Sequence, residues 1–401
     1  MAQRILVSGV GCCLVDRLYN HISFGSEGFS KWLSNDRGDG GLTPGHLVFK
    51  EEFEKFTGQD FQAALKEITQ GEFPGAINIG GPCIVALIHA AQISFGSDSV
   101  YRFYGCGGKD DDGAFLMAAL QKTPVKTDHY CLSGSLTPST VVLSDPTYDH
   151  GHGERIFINS IGSAWNYSPN HLNHDFFTSD VVFFGGTALV PAIHDHLDQL
   201  LEKAKKNGCI TIVSTVFDFQ SEKNNPGGKW PLGKTDHSYR DIDLLIADYE
   251  EALHLSGKST IDEALNYFRE KGTGAVVVTN GSKPIRFFSS GNLFQLIADK
   301  KMPVCEAVSL ELKKGSSGDT TGCGDNFAGG VIASLVRQLQ EDRFPVDLTE
   351  ACRWGVVSGG FTCFYMGGTY MEKVPGEKMS LMRPFYEMYQ RQLQSEITGK
   401  K

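Results

Sequence analysis

The sequence predicts an α/β fold: one doubly wound, mainly parallel sheet flanked by helices, with a small antiparallel β lid. Three observations predict it. Short apolar runs recur along the chain, and most are followed by a stretch of helical period. Glycine-rich turns stand at three of these junctions, residues 80–82, 105–113 and 318–325. One pair of β-like runs, 140–143 and 155–158, is joined by turn residues alone, which makes a hairpin rather than a crossover. We read residues 1–401 as a single domain, with lid pieces over about 12–50 and 137–160 and insertions over about 20–75 and 219–240.

Taken in order, residues 4–10 form an apolar run that ends in glycine, the pattern of a buried parallel strand. Asp16 closes that segment in a polar turn before Asn20. Residues 20–75 are irregular apart from an amphipathic stretch, Phe53 to Ile68, and their apolar content is too thin for a core of their own. Gly80-Gly81-Pro82 opens a helix whose apolar stripe is Ile84, Leu87, Ile88 and Ala91. A strand over 100–104 leads through the glycine-rich loop 105–113 into a helix ending near Leu120. After the hairpin, strands are expected at 181–184, 210–216, 242–247 and 275–279, and helices over 191–207, 249–256 and 261–271. The stretch from Phe217 to Pro231 reads as a loop. Further strands are expected near 285–288, 293–298 and 303–309, and three closing helices at 324–341, 348–366 and 376–394.

Composition narrows the function. The chain is 41% hydrophobic and 21% charged, ordinary for a globular protein. Its net charge of −10, without a long basic run, argues against nucleic acid or an acidic membrane as partner. Ten cysteines are scattered without zinc-type C-x-x-C spacing, as expected for buried thiols in a reducing compartment. With neither a signal peptide nor an apolar stretch of membrane-spanning length, the expectation is a soluble, cytoplasmic protein.

The chemistry concentrates in Gly318-Asp319-Thr320-Thr321-Gly322-Cys323-Gly324-Asp325. Phe327, Val331, Leu335 and Leu339 recur every four residues behind it, so the loop opens a helix. Backbone N–H groups at such a start crowd around an anion, and the helix dipole adds to the attraction. Asp325 stands there either as an N-terminal acid that steadies the helix or as a carboxylate base beside a phosphate cradle. Elsewhere, Gly9-Val10-Gly11 lacks the third glycine of a dinucleotide loop, because position 14 is Leu. His150 and His152 sit among turn residues and fit a solvated loop better than a metal site. Gly227-Gly228-Lys229 is followed by Trp, so it is not the P-loop of a nucleotide-binding Walker motif.

Taken together, the loops resemble those of the ribokinase-like (PfkB-type) family of sugar and nucleoside kinases. Asp319-Thr-Thr-Gly-Cys-Gly-Asp325 is similar to the family's D-T-x-G-A-G-D signature, and Gly80-Gly81 to its double-glycine hinge. Gly105-x-x-Gly108-x-Asp110-x-x-Gly113 falls at the family's place, Asp248-x-x-Glu251 is similar to its N-x-x-E pair, and Thr279-Asn280-Gly281 to its nucleotide-side turn. These features follow in family order over nearly the whole chain.

The resemblance implies an ATP-dependent kinase acting on a hydroxyl of a small molecule, a sugar or sugar derivative first. It implies an anion hole from the N–H groups of Gly322, Cys323 and Gly324, with Asp325 as base. It implies Asp16, Gly80, Gly81 and the Val85 position on the substrate, and Thr279, Gly281 and Thr320 on the nucleotide. Glu251 and Asp248 would serve Mg2+ largely through water, and a monovalent cation (K+) is a further candidate cofactor. Assembly is expected as a monomer or as a homodimer through the lid.

Four departures matter. Cys323 replaces the usual Ala, and a thiol at a helix N-terminus is expected to have a lowered pKa unless it is covered and inert. Val85 stands where many members carry an Asn that touches the sugar. Asp248 replaces the usual Asn, and could either tighten Mg2+ binding or pair with a cation. The insertions are expected to enlarge the substrate side, with Phe24, Phe217 and Trp230 as aromatic candidates to line it, unless they pack in the core.

Three other readings stay open. The long segment before the double glycine, Leu42 to Phe56, is shared with adenosine-kinase-like members, which makes a nucleoside kinase the first alternative. A non-catalytic nucleotide or sugar sensor on the same fold is the second. A dinucleotide-dependent oxidoreductase, resting on Gly9-Val10-Gly11 alone, is the third.

Overall fold

The computed structural model describes residues 3–151, 153–315 and 318–398. His152, one of the two turn histidines, lies outside them. The chain opens with β1 (Ile5–Gly11), β2 (Leu14–Tyr19) and β3 (Leu47–Phe49), then α1 (Lys50–Thr57), α2 (Phe61–Ile68), β4 (Ala76–Gly80) and α3 (Pro82–Ile93). It continues through β5 (Ser99–Gly108), α4 (Asp111–Leu120), β6 (Lys126–Ser133), β7 (Ser139–Asp145), α5 (Tyr148–Gly151) and β8 (Glu154–Ser160). Then come β9 (Val181–Gly185), α6 (Pro191–His194), α7 (Leu197–Lys206), β10 (Ile210–Ser214), α8 (Phe219–Asn224), β11 (Leu244–Asp248), α9 (Tyr249–Ser256) and α10 (Ile261–Glu270). The last elements are β12 (Ala275–Asn280), β13 (Lys283–Ser289), β14 (Ile297–Met302), α11 (Glu306–Leu312), α12 (Cys323–Gln340), α13 (Leu348–Thr362) and α14 (Glu377–Thr398).

The strands make two sheets. The large one has the order β14-β13-β12-β11-β10-β9-β1-β5-β6, parallel except where β13 and β14 pair antiparallel at one edge. Its strands alternate between two apolar layers. Val181 and Phe183 of β9 face one layer and Val182 and Phe184 the other, and the same alternation runs through Leu244 to Ala247 of β11. Burial on both faces is why these strands read as continuous apolar runs. Among the flanking helices α3 is buried along its whole length, between the sheet and α12.

The small sheet, β3-β8-β7-β2-β4, holds the expected hairpin, with Thr140 opposite Asn159 in β7 and β8. It is mixed rather than wholly antiparallel: β2 pairs parallel with β7 and β3 parallel with β8. Sequence reading missed β2, β3, β4 and β6. Asp16 is not in a turn after the first strand; it lies inside β2, paired in register with Asn78 and Thr140. The amphipathic stretch after residue 53 is two helices, broken where Gly58 takes a left-handed φ of 68°. Phe53, Trp32 and Phe61 join the layer shared with the large sheet, so the segment borrows a core instead of building one.

One expected strand is a helix. Residues 306–312 form α11, because Val308 packs against Gly360 of α13 and the Glu306 N–H donates to Gln392 of α14 at 3.0 Å. Packing there overrides the β-branched residues that suggested a strand. Phe24 and Trp230 are core residues, whereas Phe217 stacks half-buried on His46 with ring centroids 4.5 Å apart. No helix of the described residues is long and apolar enough to cross a membrane.

Candidate active site

The expected site residues gather where the carboxyl ends of the parallel strands meet the small sheet. Asp319 organises the loop ahead of α12. Its Oδ1 accepts from the Thr321 N–H at 3.1 Å and the Gly367 N–H at 3.2 Å, and its Oδ2 from the Thr321 hydroxyl at 2.9 Å. Gly322 then takes a left-handed φ of 76° and lies so close to Gly368 that an added Cβ would stand 2.5 Å from its Cα. Glycine is required on both counts. Having no side chain, Gly322 leaves the first turn of α12 without a side-chain cap. Of the three N–H groups expected to form the anion hole, that of Cys323 donates to the Thr320 carbonyl at 3.3 Å, while Thr320 itself is exposed.

Asp325 sits half-buried in that first turn. Desolvation pushes its carboxyl up to about 6, against the opposing field of Arg155. Asp16 is buried, and desolvation followed by the charges of Asp325 and Asp319 pushes it up to about 8. Gly80 makes room for it: a Cβ there would stand 2.1 Å from Asp16 Oδ2. Gly81 leads into α3 with a φ of 110°, hard against the Cys12 carbonyl. Val85 is buried one turn on and faces Gly368.

On the other flank, Asp248 and Glu251 cap α9 reciprocally. Asp248 Oδ1 accepts from the Glu251 N–H at 2.8 Å, and Glu251 Oε2 accepts from the Asp248 N–H at 3.0 Å and the Thr215 hydroxyl at 2.6 Å. Desolvation, then the charge of Asp248, raises the Glu251 carboxyl, and Asp325 adds to it. The charge of Asp325 therefore acts on both Asp16 and Glu251. Thr279 pairs in register with Asp248 across β12 and β11, and Gly281 makes the turn into β13 with a φ of 54°. The third glycine loop is structural: Asp110 caps α4 and accepts from the Thr137 hydroxyl and N–H, tying β5 to the start of β7.

Sequence reading missed two basic residues. Arg155 of β8 is the cation whose field opposes the rise at Asp325, and among the described residues its buried Nε has no hydrogen-bond partner. Strand alternation was the available signal: Ile156 and Ile158 enter the core, which leaves Arg155 and Phe157 on the opposite face. Lys378 of α14 is buried, and its Nζ donates to Asn326 Oδ1 at 2.9 Å and to the Tyr365 hydroxyl at 3.1 Å. Asn326 in turn donates to the carbonyls of Gly322 at 2.9 Å and Gly368 at 2.8 Å, so Lys378 braces the loop from behind. Nothing in the local sequence connects residue 378 with residue 326.

Of the two expectations for Cys323, the lowered pKa does not occur and the covered thiol does. A hydrogen bond with the Cys363 thiol, then burial, raises it, and the same hydrogen bond with the help of Arg155 lowers Cys363 instead. The insertions do not meet at the expected substrate residues either. Arg37 from one reaches buried Glu222 of the other at 2.6 Å, beside a cavity of about 250 Å³ lined by His46, Phe217 and Glu222 but not by Asp16, Gly80, Val85 or Asp325.

The pfkB family of carbohydrate kinases matches residues 96–374, which takes in the glycine loop at 105–113, Asp248, Glu251, Thr279 and the whole loop ahead of α12. The chain belongs to the pfkB family. Aminoimidazole riboside kinase of Salmonella typhimurium is 28% identical over 250 residues, 59% of this chain and 68% of that protein. Among solved structures the fold is similar to ribokinase from Thermotoga maritima, with a TM-score of 0.61 at 18% identity over 95% of this chain and 99% of that one. It is also similar to adenosine kinase from Schistosoma mansoni, in a complex with 2-fluoroadenosine, with a TM-score of 0.68 at 16% identity over 91% and 97% of the two chains. A probable sugar kinase from Rhizobium etli gives 0.68 at 16% identity over 96% and 100%.

A pfkB kinase uses ATP with a divalent cation, and the donor set here fits that demand. Asp248 and Glu251 are two adjoining carboxylates, and among the described residues no third acidic, His or Cys group joins them. Two carboxylates suit Mg2+, which keeps most of its waters and takes the remaining ligands from phosphate.

Proposed function

We propose that this protein transfers a phosphoryl group from ATP to a hydroxyl of a sugar or sugar derivative. The observation that carries the reading is Asp325 in the first turn of α12, an end without a side-chain cap, where its charge acts on both Asp16 and Glu251. When bound, MgATP supplies the γ-phosphoryl group and the cation neutralises part of its charge. Asp325 removes the proton from the attacking hydroxyl, which a carboxyl at about 6 does well at neutral pH, where most of it is ionised. The amides at the start of α12 and the Arg155 guanidinium stabilise the charge that develops on the phosphoryl oxygens. Asp16 holds further substrate hydroxyls, and with a raised pKa it both donates and accepts hydrogen bonds near pH 8. The small sheet serves as a lid that keeps water from the reaction. Glu251 and Asp248 would hold Mg2+, which would supply charge neutralisation there.

A nucleoside is the second reading, and Val85 favours it. The residue is apolar, so it offers a sugar hydroxyl no hydrogen bond. The curated relative acts on a riboside, as its name states. ADP release coupled to a dye, measured with Mg2+ over a panel of free sugars, sugar phosphates and ribosides, tests both readings, and repeating it in K+ and in Na+ tests the monovalent cation. Turnover of a free sugar with high kcat/KM and none of any riboside supports the first; the reverse supports the second. ATP binding without acceptor-dependent turnover on any compound overturns both in favour of a sensor.

A further inference from the structure

Cys323 is the first residue of α12 and Cys363 follows the last turn of α13, and their sulfurs lie 3.5 Å apart. Both are partly buried. The surrounding backbone is tightly packed: a Cβ at Gly318 would stand 2.2 Å from the Cys363 carbonyl oxygen, and one at Gly359 would stand 3.0 Å from that of Cys323. We infer that Cys323 and Cys363 form an oxidation site, where a hydroperoxide converts the two thiols into a disulfide that deforms the anion-binding start of α12. The anion-binding role rests on the kinase reading above; the disulfide itself does not.

The order of events follows from the surroundings. Arg155 and the Cys323 thiol both favour the thiolate at Cys363, which makes Cys363 the nucleophile. Its sulfur attacks one peroxide oxygen, the O–O bond breaks, and the departing oxygen takes up a proton as water or alcohol. The Cys323 sulfur then attacks the sulfenic sulfur of Cys363, the S–S bond forms, and the hydroxide that leaves takes the Cys323 proton as a second water. Two electrons pass from the thiols to the peroxide. Bonding brings the sulfurs from 3.5 Å to about 2.05 Å, a closure of about 1.5 Å that draws the first residue of α12 toward α13. Misplacement on this scale costs on the order of 10²-fold in a reaction that depends on positioned amides. The kinase family carries Ala in the Cys323 position of its signature, so the device belongs to this chain rather than to the signature.

Cys106 and Cys131 provide an internal comparison. They pair in register across β5 and β6, but burial raises Cys131 to about 12. The test treats the full-length protein with graded hydrogen peroxide, alkylates remaining thiols, and digests it with trypsin without reduction. Cys323 falls in peptide 315–337 and Cys363 in peptide 354–373, so their disulfide appears as a linked pair. The expected result is that this pair forms before any other linked or oxidised peptide. Acceptor-dependent turnover should fall at least tenfold in parallel and return with dithiothreitol. Cys363→Ser should keep its starting activity and resist peroxide. Sulfinic acid at either residue without the linked pair, a different pair forming first, or peroxide sensitivity unchanged in Cys363→Ser overturns the inference. So does a linked pair that leaves turnover intact. The peptide result is read by mass whether or not an acceptor has been found, so its failure is distinct from failure of the kinase reading.

Discussion

Replacing Asp325 by Asn keeps the shape of the side chain and removes the base. Asp325 is raised to about 6 by desolvation, so it is about 90% ionised at pH 7 and about 10% at pH 5. If the ionised form is the working one, kcat/KM falls about tenfold between those two pH values and approaches a tenfold loss per unit below them. The sign is that of a base: activity is present above about pH 6 and disappears as protons bind. Loss of a positioned base costs about 10²–10⁴-fold, or roughly 2.7–5.4 kcal/mol of barrier. Asp325→Asn should therefore lose that much at pH 7.5, and its residual rate should lack the inflection near pH 6. The assay is coupled ADP release at several pH values under saturating Mg2+, with circular dichroism to verify folding. A variant within tenfold of the parent refutes the base. So does a variant whose rate still bends near pH 6, since the inflection would then belong to another group.

The remaining predictions use the same assay. Arg155→Met removes the cation whose field holds Asp325 down, so the acid limb should move above pH 6 while kcat falls; an unmoved limb would mean that Arg155 does not act on Asp325. Gly80→Ala places a Cβ 2.1 Å from Asp16 Oδ2, and the displaced carboxylate should raise KM for the acceptor at least tenfold while KM for ATP stays within twofold. Lys378→Met removes a donor to Asn326 and loosens the loop from behind; kcat should fall on the order of tenfold with both KM values unchanged, and Lys378→Arg should restore little because a planar guanidinium does not fit the buried place of one amine nitrogen.

The sheet was legible because its strands are buried on both faces, so β1, β9, β10, β11 and β12 show as uninterrupted apolar runs. The small sheet was half legible. β7 and β8 announce themselves as a hairpin, but β2 and β4 pair with each other across about sixty residues, and β3 pairs with β8 across more than a hundred. Short-range pattern cannot carry pairing at that range, which is why Asp16 was placed in a turn. Residues 303–309 failed for another reason: Val304 and Val308 favour a strand, and only packing against α13 and α14 makes the segment a helix. At the site, the residues that sit on a local pattern were found. Asp325 follows a glycine loop, and Asp248 and Glu251 have capping-box spacing. Arg155 and Lys378 act across elements distant in sequence, and their roles exist only once the chain has folded.

The central claim is that the acceptor hydroxyl meets Asp325, whose charge acts on both Asp16 and Glu251. A crystal structure with a turned-over acceptor and a non-hydrolysable ATP analogue with Mg2+ tests it most directly. The account predicts one acceptor hydroxyl about 2.6–3.2 Å from the Asp325 carboxylate. It also predicts another on Asp16 and the terminal phosphate at the start of α12. An acceptor seated instead in the cavity between Arg37 and Phe217, with no hydroxyl within reach of Asp325, would contradict it.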